Sequence, residues 1–302
     1  MKIFHTQTLL KTAGLLLITA AAVTESRAQL HPLSGIYYQN RYLANPAMAG
    51  LEEGLRLNLG YRQQWSSMPG APATQSLTGD YGFSSKVGLG LNLYNDKAGL
   101  LSRTRVMGTY AYHLPLDGES RKLSFGLSLG FMNERLAEED VSGNPNDVSI
   151  GRVNDRETFI DGDFGLAYTS NKLTVQGALP NMKNFFKKDD NENTVDQSTF
   201  FTAVSYKLYF PQSLNGMGIE PKAVYRGVRG HDDILDIGAN LTFADEALSL
   251  TGVYHSSQSA TFGAGVNYKK TLSIMGMYTT ETSALRGYTS GNFELALRVK
   301  LF

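Results

Sequence analysis

The chain has 302 residues, and its 28 Lys and Arg balance 28 Asp and Glu to a formal net charge of +0. That balance argues against a nucleic-acid partner, which demands a clustered basic face. The absence of Cys removes disulfides, thiolate metal sites and cysteine nucleophiles together.

At the start, Lys2 and Lys11 precede an apolar run from Ala13 to Val23, and Ser26-Arg27-Ala28 places small residues before a cut. This pattern predicts a secretory signal peptide over residues 1–28, with the mature chain starting at Gln29. The run falls short of the roughly 20 apolar residues of a spanning helix. Residues 29–53 show no sustained alternation. Asn45-Pro46 disfavours a continuing helix, because proline crowds the residue before it, and Gly50 is suited to end a helical turn. This stretch reads as a short periplasmic N-terminal segment that tucks into a barrel mouth.

From Gly54 onward the chain alternates. Leu55, Leu57, Leu59 and Tyr61 oppose Arg56, Asn58, Gly60 and Arg62; then Leu77, Tyr81 and Phe83 oppose Thr74, Ser76, Thr78 and Asp80. The clearest run sets Val87, Leu89, Leu91 and Leu93 against Gly88, Gly90 and Asn92. Side chains on a strand alternate faces, so each run has one oily face and one small or polar face. After a predicted loop from Asn95 to Leu101, the same pattern recurs to the end of the sequence. It is interrupted by polar insertions from Asn133 to Thr158 and from Asn181 to Ser198. The reading is about fourteen strands of roughly ten residues, long enough to cross a bilayer when tilted. Glu220-Pro221-Lys222 is a weak point, where a missing ladder donor predicts a bulge or a local edge.

Oily and small faces repeated throughout an exported chain predict an all-β fold, a transmembrane antiparallel outer-membrane β-barrel over residues 54–302. Tight turns would lie in the periplasm and long loops outside. Terminal Phe302 falls on the polar phase, out of step with Val299 and Leu301. Inward charges of both signs, among them Arg56, Arg62, Asp80, Arg103, Arg105, Asp163, Asp236, Glu294 and Arg298, predict a paired lumen network, since unpaired charges there are costly.

Asn45-Pro46-Ala47-x-Ala49-Gly50, Tyr61-Arg62-x-Gln64-Trp65 and Pro69-Gly70-Ala71-Pro72-x-Thr74 resemble, in order and spacing, the opening of the PorP/SprF family. The resemblance implies an outer-membrane component of the type IX secretion and gliding machinery. It also implies partners: other machinery proteins, secreted or surface proteins with C-terminal sorting domains, and a peptidoglycan-associated periplasmic protein. Asn45, Pro46, Ala47, Gly50, Tyr61, Arg62, Trp65, Pro69, Gly70 and Pro72 are the motif residues, with a structural or partner-binding role. The pair Arg62 and Trp65 reads either as a partner-binding edge or as a lumen ion-pair arginine beside an interfacial tryptophan.

Signals for chemistry are weak. Gly126-Leu127-Ser128-Leu129-Gly130 matches the serine-hydrolase elbow, but the elbow needs a strand-to-helix turn and Ser128 sits mid-strand. His31, His113, His231 and His255 are scattered, with solvated or interfacial roles expected for His113 and His231. Asp161-Gly162-Asp163 and Asn144-Pro145-Asn146-Asp147 lack the full carboxylate spacing of a calcium loop. The chain is therefore expected to be no enzyme and to need no cofactor. The competing reading is a porin or a hydrophobic-substrate channel.

Overall fold

A computed structural model describes residues 35–66, 70–117, 120–136, 158–183, 198–213, 215–228, 233–281 and 290–302. The expected signal peptide, with His31, lies outside them, as do Pro69, His231 and the turn Asn144–Asp147. The described strands are β1 (Gly54–Gln64), β2 (Ala73–Gly82), β3 (Val87–Ala98), β4 (Leu101–Asp117), β5 (Arg121–Leu136), β6 (Thr158–Thr169), β7 (Leu173–Leu179) and β8 (Ser198–Tyr206). They continue with β9 (Leu208–Phe210), β10 (Met217–Val228), β11 (Ile234–Phe243), β12 (Leu248–His255), β13 (Ser259–Tyr268), β14 (Leu272–Thr279) and β15 (Asn292–Lys300).

Each strand pairs antiparallel with its neighbour, and the wall closes where β1 meets β15, from Arg56 opposite Lys300 to Gln64 opposite Asn292. Ser205 faces Lys222 and Leu208 faces Ile219 in one unbroken register, so β8 and β9 are two halves of a single wall strand. The barrel therefore has fourteen strands. Closure satisfies every wall strand's ladder without an edge, which a hydrocarbon environment requires.

The weak point at Pro221 takes a different form from the expected bulge. β10 runs straight through it, with Pro221 opposite Ala239. On the other side, the missing proline N–H coincides with the interruption at Lys207, whose own amide donates to the Lys172 carbonyl at 2.7 Å. The register irregularity of β10 lies instead at Gly227 and Val228. The expected loop from Asn95 to Leu101 is also shorter than read. β3 and β4 continue to Ala98 and from Leu101, leaving Gly99-Leu100 as the turn, with Gly99 at φ 58°.

Polar tips on these extended strands hid them from an apolar alternation test. Asn95, Thr104, Asn133 and Thr158 form one outward row across four strands, tied by Asn95 to Thr104 at 2.7 Å and by Asn133 to Thr158 at 3.0 Å. Directly below it runs the row Leu93, Val106, Phe131 and Ile160. The oily band ends between the two rows. Exposed aromatics flank the band at both ends, with Phe83, Tyr112, Tyr206 and Tyr268 at one and Tyr61, Tyr225, Tyr254 and Phe293 at the other. Such girdles mark the two interfaces of a membrane barrel. No described helix is long and apolar enough to cross a membrane.

Phe302 lies beyond Lys300, the last ladder residue, so strand alternation no longer governs it. Its ring meets Tyr81 edge-on at 6.1 Å on the outer face. The mouth holding Gly54 and Lys300 is called the near mouth below, and the opposite one the far mouth.

Candidate functional site

The lumen is occupied by the chain itself. Residues 29–53 read as a periplasmic segment that tucks into a barrel mouth; the described part, from Gly35, runs deeper, through the lumen. A 3-10 turn (Gly35–Tyr38), a single α-turn (Arg41–Ala44) and a second 3-10 turn (Pro46–Met48) run from the far half of the lumen to the near mouth. Asn40 and Asn45 cap the latter two turns by accepting from the amides of Leu43 and Ala47. Pro46 opens its turn where no amide is needed. At the exit, Gly50 adopts φ 61° and its amide donates to Asp80 at 3.0 Å, while a Cβ would overlap Gly88.

Consecutive plug residues reach opposite walls. Asn40 donates to Thr78 on β2 at 2.8 Å, Arg41 forks onto Glu220 on β10 at 3.0 and 3.1 Å, and the Tyr42 hydroxyl meets Thr109 on β4 at 2.6 Å. Asn45, fully buried, donates to the carbonyls of Leu166 and Gly177 on β6 and β7. Toward the far mouth, Glu294 accepts from the Ile36 amide and Tyr37 donates to Asp236, while nearer the other end the Arg298 guanidinium donates to the Gln39 carbonyl. Lys222 lies 4.8 and 4.5 Å from the ring centres of Tyr37 and Tyr38. The cross-section is thus bridged in every direction.

Wall glycines make room for the plug. A Cβ on Gly126 would overlap the backbone of Pro46 and Ala47, one on Gly165 would overlap Asn45, and one on Gly90 the Tyr42 ring. Their small-residue face therefore seats the plug, with main chain against Gly126 and side chains against Gly165 and Gly90.

The expected pairing of lumen charges is present: Arg56 with Asp80 at 2.6 Å, Arg103 with Glu134 at 2.6 Å and Arg105 with Asp163 at 2.6 Å. At the near mouth, partial burial pushes the Glu52 carboxyl up, yet the Arg56 guanidinium at 2.9 Å, together with Arg41, Lys300 and Arg298, outweighs it and holds it below its ordinary value. Asp161 and Asp163 spend their oxygens on Arg105 and on the amides of Gly162, Lys183 and Asn181, anchoring the start of the segment after β7. Among the described residues no group of His and acidic side chains is set to hold a metal.

The motif residues divide between two places. Asn45, Pro46, Ala47 and Gly50 belong to the plug. The other described ones, Tyr61, Arg62, Trp65, Gly70 and Pro72, lie at the far end of the first hairpin. Tyr61 points outward, Arg62 is buried opposite Glu294, and Trp65, at φ 46°, donates its amide to Gly291. The carbonyl of Gly70 accepts from Gly99, and that of Pro72 from Gln64.

The solvated or interfacial role expected of His113 is not what the structure has. His113 is fully buried and joins the wall to the plug through Ser124 at 2.8 Å and the Ala49 carbonyl at 3.1 Å. His255 bridges Asp236 at 2.6 Å and Thr261 at 2.7 Å, an Asp-His-hydroxyl chain in outline. Thr261 is fully buried and bonded to Thr279 at 2.7 Å, so this chain offers a substrate no access. Ser128 is likewise buried mid-strand against Thr109, away from any elbow.

The family model for the type IX secretion system membrane protein PorP/SprF matches residues 26–299. The chain belongs to the PorP/SprF family. It is an outer-membrane barrel of the type IX secretion system. Omp33 of Acinetobacter baumannii is similar in structure, at 10% identity over 83% of this chain and 100% of its own, with a TM-score of 0.48. The toluene transporter TodX of P. putida is similar at 10% identity over 87% and 94%, with a TM-score of 0.47. None of the curated proteins compared matches the chain.

Proposed function

We propose that this PorP/SprF barrel serves the secretion machinery as a closed scaffold, supporting export or surface attachment of partner proteins through protein–protein contacts. The near mouth faces the periplasm and the far mouth faces outward, since tight turns gather at the former. The polar insertions, chiefly Asn133 to Thr158 and Asn181 to Ser198, contact the exported or retained proteins, and the near mouth meets machinery proteins, a peptidoglycan-associated one among them. The supporting observation is the plug. Its residues Asn40, Arg41 and Tyr42 bind β2, β10 and β4 within three positions, which leaves the lumen serving no traffic.

Planar-bilayer recording of the purified barrel tests this. The expected trace is closed, with rare openings. Steady porin-like conductance of the intact chain would favour the channel reading instead. In cells, deletion should remove particular proteins from the surface; an unchanged complement of secreted and surface proteins would reject the contact role.

A further inference from the structure

The described charges of this neutral chain are distributed unevenly between the two mouths. Lys86, Lys122, Lys172, Lys207 and Lys300 share the alternation phase of the lumen-facing Gly88, Ser124, Thr174, Ser205 and Arg298. Each stands one inward position beyond them, at the near mouth. Four of the five are exposed and Lys122 is partly so. Shared hydrogen bonds fix their order around the rim. The Lys207 amide donates to the Lys172 carbonyl at 2.7 Å, the Lys86 carbonyl accepts from His113 at 2.7 Å, Lys122 sits opposite Thr169, and Lys300 sits opposite Arg56. They therefore form an arc from β15 through β1 to β8, more than half of the mouth.

None of the five makes an ion pair among the described residues. Of the described acidic residues on or beside the arc, Glu52 and Asp80 are already held by Arg56 at 2.9 and 2.6 Å, Asp117 by Arg121 at 2.7 Å and Glu220, across from Lys207, by Arg41 at 3.0 Å, which leaves Glu53. The far mouth differs, for Arg103 and Arg105 are matched there by Glu134 and Asp163. A cluster of one sign focuses the field and attracts its opposite. The inward phase turns these ammonium groups away from the hydrocarbon, so the bilayer's own headgroups are not what they face. With strands about 4.8 Å apart, lysines two strands apart stand about 10 Å from one another. One small anion cannot span that arc, whereas an extended acidic chain can.

We propose that this lysine arc docks an acidic protein segment, rich in Asp or Glu, at the near mouth. The proposal rests on the reading that the barrel works by contact. The full chain in phosphatidylcholine nanodiscs should bind a labelled polyglutamate peptide, read by fluorescence anisotropy, with affinity falling as salt rises. A variant combining Lys86→Gln, Lys122→Gln, Lys172→Gln and Lys207→Gln should bind at least about tenfold more weakly. Outward far-rim substitutions Lys97→Gln and Arg135→Gln should leave binding unchanged. Heat-modifiable gel migration confirms that the variant is folded. Should the fourfold variant fail to fold, Lys172→Gln and Lys207→Gln singly should each weaken binding about two- to fivefold, the worth of one exposed charge pair. Undiminished binding by the lysine variants, equal loss in the far-rim variant, or capture of phosphatidylglycerol vesicles with no capture of the peptide would each overturn the proposal. Such failures would leave the closed lumen, measured by conductance, untouched.

Discussion

Replacing Gly126 with leucine should unseat the plug. The position faces the lumen, and a Cβ there overlaps the Pro46 carbonyl group and the Ala47 amide nitrogen. Those atoms are main chain inside a capped turn, so no rotamer change relieves the clash. Overfilling a packed interior costs about 1–3 kcal/mol, and the backbone nature of the obstruction places this case toward the upper figure. If that penalty falls on the docked state alone, the docked-to-released ratio drops roughly 5- to 150-fold. The assay is single-channel recording of wild type and G126L, with openings more frequent in the variant by that factor. Gly252→Leu is the matched control, because Gly252 faces outward and a Cβ there meets nothing within 4 Å. A folded G126L barrel as quiet as wild type would refute the inference that the plug seals the lumen.

Asn45→Ala removes the cap on Ala47 and the bonds to Leu166 and Gly177. A loss of about 1–2 kcal/mol is expected, measured as faster proteolysis between Asn40 and Gly50 in detergent. Arg41→Ala and Glu220→Gln should each lower the midpoint of thermal unfolding, and the double variant should cost less than their sum. A cycle in which the two losses simply add would show that the pair is not coupled. Trp65 is the single tryptophan of the chain, so its emission should be quenched by lipids brominated near the headgroup and not by lipids brominated at the bilayer centre. Equal quenching by both would place it elsewhere than the rim.

The wall was legible because every strand writes the same two-residue period: Leu89 and Leu91 face out while Gly90 and Asn92 face in. Where the period persists without oil, as at Asn95 to Ala98, an apolar pattern cannot follow it, and the end of β3 with the start of β4 read as a loop. The plug was illegible for another reason. Single turns such as Arg41–Ala44 are too short to carry a helical period, and their contacts lie some 40 to 260 positions away in sequence. Gly126 and Gly165 gave no warning, since a bare inward face looks the same whether water or backbone lies against it. His113 was misjudged likewise: its ring is held by the Ala49 carbonyl, 64 positions away in the chain.

The seam between β1 and β15 sets a constraint on assembly. The segment inside the cylinder precedes every wall strand in sequence, yet the cylinder is complete only when the last strand has found the first. Glu294 and Arg298, both on the closing strand, hold that segment only once the seam has formed. A chain shortened ahead of Asn292 would lose both the seam and two of the clasps that retain its own cargo.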